Sequence, residues 1–411
     1  MKEKVINKKI SIALTVIFIL ILIVIGSSYA YFTVQANTDI QTVTTGTLTM
    51  GFTNGNLINA DTPIPINDSE IKTEATTLPF SITNTGNQHM KITIKLTDII
   101  IDTSLKNIDF RWGLYNADTD IGVSFGTFKY SETGKEELIL RDVILDSGST
   151  TKNYKLRVWI HENGAVQNDM MGQSFSAKVS VTGEPIEYTP ETCFTFSNGT
   201  ITRYNVETCG TDVVIPRAIN GTTVTQIGES AFSNFPNEQS GMNITSVIIP
   251  DTINYIENFA FAFNNLLTYI TIPESVTNSG TAPFFNSGLT SAIIPENFKG
   301  DGTFNNSKLK TIVIPSGASL RMNSFSDNIL TDVVIMDGIT SIEQSLFINN
   351  DFTSIEVPTT INDIKTDAFS GCENLTEIVV RGKSSLSDFT DSTGLTTAGG
   401  LPEGVTITFR P

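Results

Sequence analysis

The residues that could do chemistry are few. Histidine occurs twice, at His89 and His161, 72 residues apart. General acid–base work near neutral pH and most zinc sites draw on this residue. Neither copy stands in an HExxH arrangement, and each reads as a surface loop or strand residue rather than a ligand. The three cysteines, Cys193, Cys209 and Cys372, show no CxxC spacing and have no nearby histidine, so a thiolate metal site is not expected. There is no phosphate-binding GxxxxGK[ST] loop, no GxSxG elbow and no dinucleotide fingerprint. Carboxylates abound, 43 Asp+Glu against 26 Lys+Arg, and their chance pairing carries no weight. The acidic stretch Asn116-Ala117-Asp118-Thr119-Asp120 lacks the spacing of a calcium loop and reads as a solvated turn. No catalytic residue, cofactor or metal ligand is assigned, which leaves an exported hydrolase or protease as the remotest reading. A net charge of −17 opposes a phosphate backbone and argues against nucleic acid as a partner.

The charge is uneven along the chain. Lys2, Lys4, Lys8 and Lys9 against Glu3 leave residues 1–36 at +3, so the remainder carries −20 of the total of −17. Ile10–Ile25 is apolar except for Ser11 and Thr15, and the run continues to Phe32. At ~1.5 Å per residue it is long enough to cross a hydrocarbon core of about 30 Å. Lysines before it and no basic cluster after it place the N-terminus inside and the bulk outside. Ser28 and Ala30 are also the small residues of a cleavage site after Ala30. A retained single-pass anchor, making the membrane a partner, and a cleaved export signal both fit. Export permits disulfides. Cys193 and Cys209, with Ser197-Asn198-Gly199 between them, are expected to staple a hairpin; two separate thiols are the alternative.

Residues 37–187 alternate with a period of two, as half-buried strands do. Examples are Ile92-Thr93-Ile94-Lys95-Leu96, Lys155-Leu156-Arg157-Val158-Trp159-Ile160 and Phe175-Ser176-Ala177-Lys178-Val179. Turn residues separate them: Asn84-Thr85-Gly86-Asn87, Asp146-Ser147-Gly148 and Glu162-Asn163-Gly164. The pattern predicts a β-sandwich, jelly-roll or Ig-like, with Trp112 and Trp159 packed in it. The leader ending in Ser28-Tyr29-Ala30-Tyr31-Phe32, the stretch Phe80–Asn87, the stretch Tyr154–Ile160 and Met171-Gly172-Gln173-Ser174-Phe175 together resemble the camelysin/TasA-like exported β domains of Gram-positive bacteria. That resemblance implies a surface or fibre protein.

The strongest pattern is a repeat with a period near 22. Its strand piece begins at Ile244, Leu267, Leu289, Leu309, Leu330, Phe352 and Leu375, at spacings of 23, 22, 20, 21, 22 and 23, with an earlier copy at Thr211–Pro216. Apolar residues at the first, fourth and sixth positions point into a shared core, and Pro at the seventh, where present, ends the ladder. A Phe follows each turn (Phe232, Phe261, Phe284, Phe304, Phe325, Phe347 and Phe369) and predicts a stacked column. Three residues before a strand start stand Asn264, Asn286, Asn306, Asp327, Asn349 or Cys372, expected to form a polar ladder that satisfies backbone groups. Cys372 then reads as a buried structural thiol.

The pattern is similar to the BspA-like leucine-rich repeats. Val224–Phe232 and Ile361–Cys372 match best, and Cys193–Cys209 resembles the N-terminal cap of such arrays. Copies between 274 and 329 lose the Ile-Gly-x-x-Ala-Phe half, so an irregular convex side is expected there. The chain is thus mainly β, in five parts. Residues 1–36 form a transmembrane or signal helix, 37–187 a β-sandwich, 188–210 a cap, 211–381 a leucine-rich-repeat solenoid and 382–411 a C-terminal cap.

The outward strand positions form columns: Ile248, Thr271, Ile293, Val313, Val334, Glu356 and Val379 at the fifth, with Tyr269, Thr311 and Asp332 among the third. A stripe of Ile and Val beside hydroxyls suits a protein partner, although β-branched residues also simply favour strands. The family resemblance implies adhesion to a host or matrix protein, or to another surface protein. The expected protein displays the solenoid at the cell surface on a β-sandwich stalk; a structural component of a surface layer or fibre is the alternative.

Overall fold

The computed structural model describes residues 34–36, 41–45, 48–53, 57–61, 63–235 and 242–410. The apolar leader, expected either to stay as an anchor or to be cleaved after Ala30, lies outside the described residues. Among the described residues no helix is long and apolar enough to cross a membrane.

The first domain is built from two sheets. One runs Val34–Ala36, Ser174–Pro185, Met90–Ile101, Glu137–Leu145, with Leu57–Asp61 also on Ser174–Pro185. The other runs Gln41–Thr45, Leu48–Thr53, Thr76–Asn84, Thr150–His161, Phe110–Asn116, Gly122–Thr127, with Pro65–Ile66 alongside the end of Thr150–His161. Except for that last short pair, the pairings are antiparallel. Alternation decides which side chains go in: along Met90–Ile101 every other residue is buried as far as Leu96. Ile92, Ile94, Leu96, Val179 and Val181 of one sheet share a core with Phe80, Ile82, Leu114, Leu156 and Val158 of the other. Phe110, Phe128 and Phe175 pack at its centre, with ring centroids 4.6–5.2 Å apart.

Residues 186–190 connect to the solenoid and are tied at both ends. Ile186 N donates to His89 O (3.0 Å), and Thr189 N donates to Val214 O (2.9 Å). Cys193 and Cys209 are joined by a disulfide across a separation of 16 residues. Between them, Phe194–Ser197 and Thr200–Tyr204 form a hairpin whose turn places Asn198 and Gly199 at φ of 50° and 85°, a conformation that favours these two residue types.

The repeats form two ladders of short parallel strands around one apolar core. In one ladder Asp212–Val214 pairs with Ser246–Ile248, Tyr269–Thr271 with Ser291–Ile293, Thr311–Ile314 with Asp332–Ile335, and Ser354–Val357 with Glu377–Arg381. The first, fourth and sixth positions are buried in copy after copy: Leu267, Ile270 and Ile272 are fully enclosed, as are Ile378 and Val380. Phe232, Phe261, Phe284, Phe304, Phe325, Phe347 and Phe369 stack in one column at 4.8–6.1 Å, tilted by no more than 15°, and Tyr204 of the cap starts it. Thr406–Arg410 adds the last strand.

The side expected to be irregular between 274 and 329 keeps its ladder, with one irregularity. There Asn278–Thr281, Lys299–Asp301 and Ser319–Leu320 continue the second parallel ladder, with one register shift. Backbone pairing asks only for extended residues, so it survives the loss of the side-chain motif.

Candidate functional site

The outward face of the solenoid strands is not open to solvent. The first domain does not stand away from the solenoid as a stalk; it lies along this face. Glu137–Leu145 packs on Ser246–Ile248 and Tyr269–Thr271, and Gly122–Thr127 packs on Ser291–Ile293. Ile248, Thr271, Val334 and Val379 are buried, Tyr269, Ile293, Val313, Asp332 and Glu356 are half-buried, and Thr311 alone of these ten is exposed. Val334 and Met336 share an apolar cluster with Ile66, Ile71, Tyr115 and Trp159 of the first domain, with Val313 beside it. Ile293 packs on the first domain's own core.

Polar contacts frame this apolar centre. The Arg141 guanidinium lies 4.2 Å from the Tyr269 ring centroid, and Thr271 Oγ1 donates to Arg141 O (2.9 Å). Asp332 accepts from Lys129 Nζ and from Tyr130 OH, the latter at 2.6 Å. Backbone also crosses the seam: Glu296 N donates to Gly122 O (2.9 Å), and Gly122 N donates to Glu296 Oε2 (2.7 Å). Lys152 pairs with Asp251 at 2.8 Å.

At one end of the seam sits a buried charged cluster that the sequence does not announce. His161, the last residue of Thr150–His161, is fully buried rather than on the surface. Its Nδ1 lies 3.1 Å from Asp68 Oδ1, and its Nε2 lies 3.0 Å from Glu356 Oε1 and 2.7 Å from Arg381 Nη1. Asp68 also accepts from Trp159 Nε1 (3.2 Å), from Arg111 Nη1 (3.1 Å) and from Asp337 N (3.0 Å). Burial alone would raise the Asp68 carboxyl. The charges of Arg111 and His161, with the hydrogen bonds from His161 and Asp337, overturn this and hold it far below the usual range. Burial likewise works to raise Glu356, but the His161 hydrogen bond and the charges of His161, Arg111 and Arg381 lower it. Asp109 is raised by burial.

Asp68, His161 and Asp337 offer ligand atoms within 4.8 Å of one another. The donor set does not suit a cation, because both Asp68 oxygens already accept hydrogen bonds and two buried guanidiniums, Arg111 and Arg381, stand against it. It is an ion-pair network. His89, by contrast, is half-buried and bonds Asp146 at 2.9 Å. In the acidic turn Asn116 Oδ1 accepts from Asp118 N and Thr119 N, while Asp120 pairs with Lys155 and Arg157.

The polar ladder needs a correction. Asn264 is buried; its Oδ1 accepts from Ile244 N (3.0 Å) and its Nδ2 donates to Phe232 O and Phe261 O (2.8 and 2.9 Å). Cys372 is buried too, with Sγ 3.1 Å from Phe347 O, and burial pushes its thiol up to about 11. In the four copies between, the inward residue is one later than expected: Ser287, Ser307, Asn328 and Asn350. Asn286, Asn306, Asp327 and Asn349 instead occupy left-handed turn positions, at φ of 51°, 53°, 57° and 53°, and Asn306 bonds Asn286 while Asn349 bonds Asp327 along a more exposed row. The loop into the strand is one residue shorter in these copies, so a fixed count back from the strand lands on the turn. A left-handed position favours Asn, Asp or Gly, and Gly371 fills it before Cys372.

The fold and this stacking define a repeat solenoid of the leucine-rich class. The repeat region is of the BspA type: the model of the BspA type leucine rich repeat region matches in six copies, over residues 225–350 and 299–393. No curated protein matches the chain. Among solved structures, the chain is similar to a leucine rich cell surface protein from Faecalibacterium prausnitzii, with 30% identity and a TM-score of 0.39 over 48% of this chain and 55% of that one. It is also similar to a leucine rich repeat protein of T. pallidum (20% identity, TM-score 0.34, 48% and 87%) and to the pneumococcal vaccine antigen PcpA (16%, TM-score 0.30, 48% and 65%). The chain therefore spans about half the length of the Faecalibacterium protein.

Proposed function

We propose that the chain is an exported cell-surface protein that binds other proteins, an adhesion protein, through the outward strand face of its solenoid. The two-sheet domain, read as a β-sandwich, is the resident occupant of that face. The observation that carries this reading is that the face already accommodates a folded protein surface, with an apolar centre at Val313, Val334 and Met336 and a polar frame at Asp332, Thr271 and Glu356. That is the anatomy of a protein–protein interface. The apolar leader and the Cys193–Cys209 disulfide support export. The Faecalibacterium protein, described as a cell surface protein, supports display outside the cell.

A partner must displace or share the resident domain. The test is capture of purified extracellular-matrix proteins by cells displaying the full chain, with and without a Lys129→Ala, Arg141→Ala double substitution that loosens the seam from the side of the first domain. Tighter capture by the loosened protein is expected. Equal absence of capture by both proteins refutes the reading. Capture that is unchanged by Ile293→Glu and Val313→Glu assigns binding to another surface.

A further inference from the structure

His161 stands where the two domains meet, and its ring faces groups that cannot all be satisfied in one protonation state. Asp68, from the first domain, accepts the Nδ1 proton whether the ring is neutral or charged. Nε2 has two neighbours from the solenoid, Glu356 Oε1 at 3.0 Å and Arg381 Nη1 at 2.7 Å. A carboxylate needs Nε2 to carry a proton, and a guanidinium needs its lone pair. With the proton on, His161 donates to both domains at once, to Asp68 behind it and to Glu356 across the seam. Arg381 then turns to Glu356 (3.5 Å) and Asp337 (3.9 Å). With the proton off, Arg381 donates to Nε2 and keeps one bond across the seam, but the bridge between an imidazolium and the Glu356 carboxylate is gone.

The surroundings weight this choice. The charged groups facing the ring are Asp68, Asp109 and Arg111 of the first domain and Asp337, Glu356 and Arg381 of the solenoid. With all four carboxylates ionised, these four anions and two cations leave the pocket at −2 around a neutral ring and −1 around a charged one. The pocket is closed to water at the ring, which is fully buried, so the difference is weakly screened.

We propose that His161 is a proton-tuned latch between the two domains: a proton on Nε2 tightens the first domain on the strand face, and its loss loosens it. This device is independent of what, if anything, the face binds. Burial and the Arg111 charge disfavour the imidazolium, but the Asp68 charge and the hydrogen bonds to Asp68 and Glu356 outweigh them and raise His161 above the ordinary histidine value. The sign follows. A group whose value is raised in the closed state contributes fully below its open-state value, about 6.5, and its contribution is lost as pH rises through the raised value. Asp68 and Glu356 are lowered, so their contribution is full above the ordinary carboxylate values and is lost as pH falls from there through the lowered ones. Each unit by which the closed value exceeds the open one changes the closing equilibrium about tenfold across the titration.

The test uses the full chain in detergent micelles with its histidines labelled with ¹⁵N. Only two imidazoles are present, and His89→Gln assigns them. The expected result is a His161 ring with both nitrogens protonated at pH 6.5 and a midpoint above that. Hydrogen exchange, corrected for intrinsic rates, should show the seam amides of Glu296 and Asp337 losing protection as pH passes that midpoint. Protection in His161→Gln should be independent of pH over the same range, and Glu356→Gln should move the midpoint down. A His161 ring that lacks the Nε2 proton at pH 6 overturns the proposal. So does seam protection that is flat between pH 6 and 9 in the wild type, or a pH dependence that persists in His161→Gln. If His161→Gln fails to fold, the wild-type titration and Glu356→Gln still decide.

Discussion

Asn349 and Asn350 are neighbours in sequence with opposite duties, and exchanging each for alanine separates them. Asn350 is 2% exposed. Its Oδ1 accepts from Leu330 N (3.1 Å), and its Nδ2 donates to Phe325 O (2.8 Å) and Phe347 O (2.9 Å). Asn350→Ala strands the Leu330 N–H inside the stack where water has no access, and takes one of two donors from each carbonyl, Phe325 O keeping Asn328 Nδ2 (3.1 Å) and Phe347 O keeping Cys372 Sγ (3.1 Å). At about 1–3 kcal/mol for the unsatisfied N–H and about 0.5–1.5 kcal/mol for each lost bond, with partial relaxation, the expected loss is about 2–4 kcal/mol. Asn349 is exposed, holds φ at 53°, and its side chain makes one bond, to Asp327. Asn349→Ala removes the short polar side chain that makes the left-handed region tolerable, for a loss of about 1 kcal/mol. Both tryptophans lie in the first domain, so the readout is native-state hydrogen exchange in solenoid peptides around Leu330 and Phe347. At about 1.4 kcal/mol per tenfold, Asn350→Ala should lower local protection at least ~30-fold, and Asn349→Ala no more than ~10-fold. Because each copy touches mainly its neighbours, the loss should fade two copies away. An Asn350→Ala protein that loses less than tenfold, or an Asn349→Ala protein that loses as much, refutes the assignment of the inward ladder.

Four further outcomes are expected. Val334→Glu buries an unpaired carboxylate against Tyr115 and Trp159; undocking at a cost of about 3–5 kcal/mol should red-shift Trp159 emission while the Phe column stays protected, and unchanged emission would count against the seam. Reducing Cys193–Cys209 reopens a loop of 16 residues. It should cost about 3 kcal/mol, read as cap peptides exchanging faster around Tyr204. Cys372, enclosed and with its thiol pushed up to about 11, should resist iodoacetamide at pH 8 until the protein is unfolded. Cys372→Ser should be tolerated, since Ser287 and Ser307 fill the same column.

Periodicity alone determined the solenoid. An apolar residue at positions one, four and six and a Phe after the turn recur because every copy meets the same neighbour, a copy of itself, so the environment of each position is written in the repeat. The Phe column and the buried strand positions were legible for that reason. So were the alternating strands at 92–96, 155–160 and 175–181. The ladder was half legible: side-chain type marked the two polar columns, but only the backbone, by its left-handed turn, decided which column points inward. The outward face was legible as a stripe of Ile and Val, and no periodicity could say what lies against it. Its neighbours come from more than a hundred residues away in sequence, and burial there is a property of two surfaces rather than one strand. For the same reason nothing marked His161. A lone histidine ending a strand acquires meaning only when folding brings Asp68, Glu356 and Arg381 to its two nitrogens, and tertiary structure alone supplies those three.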